Sequence, residues 1–272
     1  MLVNSKHLQD FTIQASDGEI GTVEQFYFDD ETWAIRYLVV KTGSWLDQRQ
    51  VLISPFAIIG VNVALKLVDV ALTQKQVESS PNIDTQRPVS RQHEIAYMDY
   101  YSYPYYWSGP YMWGPAMYPA GLAASTKAGP TLTVPHNMWK APADVHLRST
   151  QAVSGYHIES ADGEIGHVDG FVIDDEAWVI RYIEVATRNW LPGKKVLVSP
   201  AWVEKVKWED SKVYVGLTRE AIQSAPEHEE SRLIDREYEN SLYFHYGRPP
   251  YWLNEGQYQP AYSPAAQTVS GA

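Results

Sequence analysis

The sequence predicts a mainly β protein: two small β-barrels in tandem, each followed by a short helix and an extended Tyr/Pro-rich arm. Three observations lead there. One offset of 145 residues aligns the two halves without a gap, with 37 identities in the 95 positions from Ile13 to Trp107. Within each half, short runs of β-branched and aromatic residues alternate with polar turns, the pattern of a small antiparallel barrel. Of the 19 tyrosines, 14 fall in the two segments that follow the strand-rich parts. The resulting organisation is barrel 1 over 1–81, helix and aromatic arm 1 over 82–127, a linker over 128–148, barrel 2 over 149–227, and helix and arm 2 over 228–272.

The elements follow in order. Phe11 to Ser16 reads as a strand leading into Asp17-Gly18, a tight-turn pair. Glu19 to Phe28 alternates, offering Ile20, Val23, Phe26 and Phe28 to a core. Asp29-Asp30-Glu31-Thr32 is a polar turn. Trp33 to Lys41 is rich in strand formers. Trp33-Ile35-Tyr37 and Ala34-Leu38-Val40 are both largely apolar, so both faces of that strand call for cover. Arg49 to Ile53 is a short strand, and Ser54-Pro55 caps a tight turn or single helical turn. Val61 to Val70 alternates as one strand, and Thr73 to Ser79, like Thr218 to Ser224, reads as a short capped helix. Arg87 to Tyr101 and Glu230 to Tyr243 each suit an amphipathic helix. Beyond them, Pro, Gly and clustered aromatics exclude a regular helix and predict an extended arm. The match continues through these segments, with Pro115-Ala116 repeated as Pro260-Ala261, so the arm belongs to the duplicated unit.

Asp17-Gly-Glu-Ile-Gly21, Asp29-Asp-x-x-Trp-x-Ile-Arg-Tyr37 and Val51-Leu-Ile-Ser-Pro55 all recur in the second unit. This pattern resembles the PRC-barrel family over roughly 1–81 and 149–227. The family is named for the cytoplasmic domain of the H subunit of bacterial photosynthetic reaction centres; a related barrel forms the C-terminal part of a ribosome maturation factor. The resemblance implies a small closed β-barrel and a protein-contact or electrostatic role rather than catalysis. H subunits carry an N-terminal transmembrane helix, and the maturation factor has its own N-terminal domain; neither is read in this chain.

Composition narrows the chemistry. The net charge of −11 lacks the basic face that phosphate neutralisation needs, which excludes direct nucleic-acid binding as a main role. With no cysteine, thiolate metal sites, disulfides and cysteine nucleophiles are ruled out. No targeting or spanning segment is read, so the expectation is a cytoplasmic protein without a membrane span. Asp29-Asp30-Glu31 and Asp174-Asp175-Glu176 lack the alternate spacing of calcium loops and read as solvated hairpin turns. The eight histidines are scattered, and Thr22 stands where the second unit has His167, so no metal or cofactor is predicted. Asp17-Gly-Glu-Ile-Gly21 lacks phosphate-cradle spacing; Gly21 is expected at a bend or bulge. Trp33 and Trp178 read as core or cover, Trp45 and Trp190 as a pair near a strand end.

The candidate interaction residues are Arg36, Arg181, Tyr101, Tyr106, Trp107, Tyr246, Tyr251 and Trp252. An arginine inside an apolar strand must be paired, stacked or used as a docking anchor. The aromatic arms have three readings: wrapping of apolar surface on their own or the other barrel, contact with a partner, and stacking on bases or sugars. The apolar strand faces support wrapping. The chain is expected to be a non-enzymatic binding or adaptor protein with an unidentified protein partner or a small ligand, an internal pseudo-two-fold pairing of its barrels, and scope for a homo-oligomer. The alternatives are an electron-transfer or reaction-centre H-subunit-like accessory protein, and a ribosome-assembly partner.

Overall fold

The computed structural model describes residues 1–81, 89–120, 146–160, 162–187, 194–229 and 232–253. The chain opens with β1 (Leu2–Asn4) and a single helical turn, α1 (Ser5–Leu8). Then come β2 (Thr12–Ala15), β3 (Gly18–Asp29), β4 (Ile35–Thr42), β5 (Gln50–Ile53), β6 (Ile58–Asn62), β7 (Leu67–Val70), α2 (Gln74–Glu78) and α3 (Arg91–Tyr101). The second unit repeats the order as β8 (Leu147–Ser149), α4 (Thr150–Val153), β9 (His157–Ser160), β10 (Gly163–Asp174), β11 (Val179–Ala186), β12 (Lys195–Val198), β13 (Val203–Lys207), β14 (Lys212–Val215), α5 (Arg219–Gln223) and α6 (Arg236–Tyr246). Among the described residues no helix is long and apolar enough to cross a membrane. Most of the expected linker, 128–145, lies outside the described residues, as do Arg87, Trp190, His136 and Pro260-Ala261.

The strands form two seven-stranded sheets. One runs β5-β4-β3-β2-β7-β6 and the other β12-β11-β10-β9-β14-β13, each with one further strand on its long central strand. The β2–β7 and β9–β14 pairs are parallel, and the other pairs are antiparallel. A closed barrel was the expectation. The described pairing is instead an open path, ending at β5 and β6 in one sheet and at β12 and β13 in the other.

The local sequence explains most boundaries. Ser54 Oγ accepts from Phe56 N, and Pro55 opens a 3-10 turn over Pro55–Ala57; Ser199 and Pro200 do the same over Pro200–Trp202. Thr73 and Gln76 form a reciprocal capping box on α2. Gly21 sits beside a β3 bulge, with φ 156°, where an added Cβ would lie 2.0 Å from the Lys41 carbonyl oxygen. Gly166 meets Ala186 O at 2.1 Å in the same way. Gly21→Ala should therefore destabilise the protein by about 1–3 kcal/mol, read by denaturant titration.

Three elements differ from the expectation. Val61 to Val70 is not one strand: β6 and β7 are a hairpin, turned at Val63–Lys66 with Lys66 at φ 53°. The first helix ends at Tyr101 as expected but starts later, and the second is shifted along the chain. α3 begins at Arg91, and α6 spans Arg236–Tyr246 with Asp235 accepting from Tyr238 N as its cap. The first arm is not extended either. Ser102, at φ 57°, ends α3, and the chain folds back through bridges Tyr111–Gly114 and Trp113–Ala116.

The two units exchange their first strands. β1 pairs with β10 of the second unit, and β8 pairs with β3 of the first. The helical turns travel with them. Ser5 Oγ accepts from Phe171 N at 3.2 Å, and its equivalent Thr150 Oγ1 accepts from Phe26 N at 3.1 Å. Leu8 and Val153, at the ends of these turns, are buried. Between the exchanged strands the acidic hairpins meet. Ile35 N donates to Trp178 O at 2.7 Å, and Ile180 N to Trp33 O at 2.9 Å. Trp33 and Trp178 both hold positive φ, 59° and 51°. Trp33 stacks on Phe28, which touches Phe171 across the seam. The strand pairings and the backbone hydrogen bonds each occur twice with the units' roles reversed, the signature of an isologous interface, here within one chain; the aromatic stack occurs once, because Ile173 stands where the first unit has Phe28.

Candidate functional site

The eight residues singled out from sequence divide into two equivalent clusters, one per unit. In the first, Arg36 projects from β4 and is 2% exposed. Its guanidinium lies 3.7 Å from the centre of the Tyr106 ring and 4.9 Å from that of Trp113. Nη1 donates to Met112 O at 2.7 Å, and Nη2 to Asp29 Oδ2 at 3.2 Å. Trp107 covers Arg91 of α3, 4.1 Å away. Tyr101 faces another side of the helix, packed with Tyr97 and Tyr103.

The second cluster repeats the arginine–aromatic and ion-pair contacts. Arg181 lies 4.0 Å from the Tyr251 ring and pairs with Asp174 at 2.8 Å; Arg236 lies 4.0 Å from the Trp252 ring. Tyr246 packs on Trp202 at 4.7 Å. The aromatic filling is shifted by one residue between units. Phe56-Ala57 and Tyr97-Met98 become Ala201-Trp202 and Leu242-Tyr243, so ring volume is kept while its donor changes. Through residue 120, and again through 253, the described arms lie on their sheets and cover the strand faces that lacked a partner in the sequence.

Beneath the first arm is a buried polar network that the sequence reading did not select. Glu94 of α3, 1% exposed, is its hub. Tyr106 Oη donates to Glu94 Oε1 at 2.6 Å, and Tyr37 Oη to the same oxygen at 3.2 Å. Arg91 pairs with Oε2 at 3.1 Å. His146, at the head of the exchanged strand, places Nε2 3.0 Å from Glu94 Oε2 and 2.9 Å from Tyr106 Oη. The network therefore joins strand, helix, arm and the opposite unit's leading segment. In the second unit Tyr182 Oη donates to Glu239 at 2.7 Å and Arg236 pairs with Glu239 at 3.0 Å, but Met1 stands in the place of His146. Identity of Arg91, Glu94 and Tyr37 with Arg236, Glu239 and Tyr182 was the available signal.

The acidic turns are solvated only in part: Glu31 and Glu176 are exposed as expected, but the aspartates before them are buried or half-buried. Asp29 is buried and accepts from Glu31 N and Thr32 N besides pairing with Arg36. Burial pushes its carboxyl up, but Arg36 and the two backbone donors outweigh that and hold it below the ordinary value. Asp30 pairs with Arg148 of the exchanged strand at 2.9 Å. A further charged group exists only in the second unit. Buried Glu184 stands where the first has Val39; Asn4 donates to it at 3.2 Å, and Lys195 Nζ is 3.5 Å away. Burial raises its carboxyl above the usual range. Trp45 donates to Ile20 O at 2.9 Å and pins the β3 edge.

Burial lowers the His146 imidazole, but the hydrogen bond and charge of Glu94 outweigh it and lift it above its ordinary value. A group raised on folding contributes stability that is full below the unfolded value, about 6.5, and lost as pH rises through the folded one. His146→Gln should therefore cost most near about pH 5 and progressively less toward about pH 8. Urea titrations of both chains across that range test this; a pH-independent difference would refute it.

Among the described residues no group of three or more His, Asp or Glu side chains is placed to hold a metal ion. A cleft of about 510 Å³ lies between the units, lined by Pro55, Ile58, Ile59, Val61, Tyr118 and Pro119 on one side and by Asp175, Glu176 and Trp178 on the other. No protein-family model matches this chain, and neither does any curated protein.

Proposed function

We propose that each unit is a PRC-type barrel and that the chain is a non-enzymatic cytoplasmic adaptor, holding a protein partner at the cleft between its units. The carrying observation is that the side chains equipped for chemistry are engaged in holding the fold together. Arg36, Glu94, Tyr37, Tyr106 and His146 neutralise and cover one another, and Arg181, Glu239, Tyr182 and Tyr251 are engaged in the second unit. The cleft, in contrast, combines open apolar surface with the exposed carboxylate of Glu176, the composition of a contact surface. Arg36, Arg181 and the aromatic residues above them then act as positioning residues that fix the cleft walls. The test is twofold. Purified intact protein should be colourless and free of stoichiometric metal by elemental analysis. A partner captured from source cells, then made separately, should re-form a defined complex with the intact chain. A bound chromophore, a stoichiometric metal or turnover of a substrate would sink this reading in favour of an electron-transfer or enzymatic role.

A further inference from the structure

The two sheets end differently at one edge. β13, the terminal strand of the second sheet, reads Val203-Glu-Lys-Val-Lys207, and Lys205 and Lys207 lie 4.6 and 5.8 Å from the ring centre of Tyr214 on β14. Charged side chains on an edge strand discourage pairing with another chain. The equivalent strand of the first sheet, β6, reads Ile58-Ile-Gly-Val-Asn62 and carries no charge. Ile59 replaces Glu204 and is 71% exposed; Gly60 replaces Lys205 and faces open space. Both strands bulge at the same position, so the edges share a backbone form and differ in side chains. Among the described residues β6 pairs only with β7.

The charge beside β6 is also reversed. Tyr214, which receives the two lysines, is replaced by Asp69, exposed and opposite Gly60 in register. Across the cleft Glu176 is exposed, next to Asp175, which contacts the Met1 ammonium. No described residue forms an ion pair with Asp69 or Glu176. The first edge thus lacks the lysines its sister carries and presents carboxylates where those lysines would be welcome.

We propose that β6 is a strand-addition site for an extended segment of a partner protein in which apolar and basic residues alternate. Backbone pairing along β6 supplies a register, and residues on alternate sides of the added strand reach different surroundings. The apolar residues meet Ile59, Val61, Tyr118 and Trp178; the lysines or arginines meet Asp69 and Glu176. The inference rests on the adaptor reading and names its partner class.

The test uses the intact chain and two capped synthetic peptides, one alternating valine with lysine and one valine with glutamate. The basic peptide should bind at least about ten-fold more tightly, about 1.4 kcal/mol, and should slow amide exchange at Ile59 and Val61. Importing the sister edge with Ile59→Glu and Gly60→Lys should weaken it about ten-fold or more, and Gly60 has room for the new side chain. Asp69→Asn with Glu176→Gln should erase the preference for the basic peptide. Equal binding of the two peptides, unchanged β6 exchange or indifference to the edge variant would overturn the proposal. So would self-association in sedimentation that the edge variant abolishes, since a second copy would then own this edge. Failed peptide binding by colourless, metal-free protein removes this inference alone, whereas a bound chromophore or metal removes the adaptor reading.

Discussion

Replacing Glu94 by alanine should lower the unfolding free energy by about 3–5 kcal/mol, the usual cost of removing one member of a buried ion pair. The side chain is fully buried and receives Tyr37, Tyr106, Arg91 and His146. Without it Arg91 and His146 face each other with no anion between them, and two buried hydroxyls lose their acceptor. Glu94→Gln should cost less, because an amide oxygen still accepts from one tyrosine, but the cations stay uncompensated. The equivalent Glu239→Ala should cost clearly less than Glu94→Ala. Arg236 is about half exposed and is solvated when its partner goes, and no imidazole reaches Glu239 from the exchanged strand. Denaturant titration of the three variants tests the ranking. Equal costs in the two units would mean that the His146 link between units adds nothing.

The repeat made much of this fold legible. Asp17-Gly18, Ser54-Pro55 and Thr73-x-x-Gln76 are local chemistry, and each forms what its residues dictate. The β6–β7 hairpin was hidden because Val63 and Leu65 are apolar yet exposed, and because the turn uses Lys66 in a left-handed conformation rather than glycine or proline. Alternation through such a turn looks like an uninterrupted strand. Asp29 was misplaced for a different reason. A carboxylate in a polar turn is normally solvated, and its burial follows from Arg36 seven residues later and from the seam, neither of which is a local signal. The arginines were recognisable as anomalies inside an apolar strand, and the aromatic residues as an excess. The glutamate beneath them was visible only as one identity among many. The uncharged edge of β6 was readable by comparing Ile58–Asn62 with Val203–Lys207, but its meaning needs the strand order.

The strand exchange was the least legible feature and has the larger consequence for cooperativity. Three-residue strands carry no periodicity, and nothing in Leu2–Asn4 says that its partner lies beyond residue 170. Yet the exchange makes each sheet depend on chain that belongs, by sequence, to the other unit. Removing residues 1–8 from the intact chain should therefore weaken the second unit and leave the first sheet complete. The loss includes buried Val3 and Leu8, about 1.5–3 kcal/mol each. Phe171 N also loses Ser5, Glu184 loses Asn4, and Asp169 loses the Lys6 ammonium. Buried Glu184 then keeps less compensation for its charge, which deepens the loss as pH rises. Calorimetry should show the single transition of the intact chain split in two, with the lower component belonging to the second unit and reduced by roughly ten degrees or more. Leu8→Ala, at about 2–5 kcal/mol, should move in the same direction without deleting chain. A single transition at an unchanged midpoint after removal of residues 1–8 would show that β10 does not need its exchanged partner. If the split is observed, the two halves are stabilised as the subunits of a strand-exchanged dimer are, with covalent linkage supplying the local concentration that a free partner strand would lack.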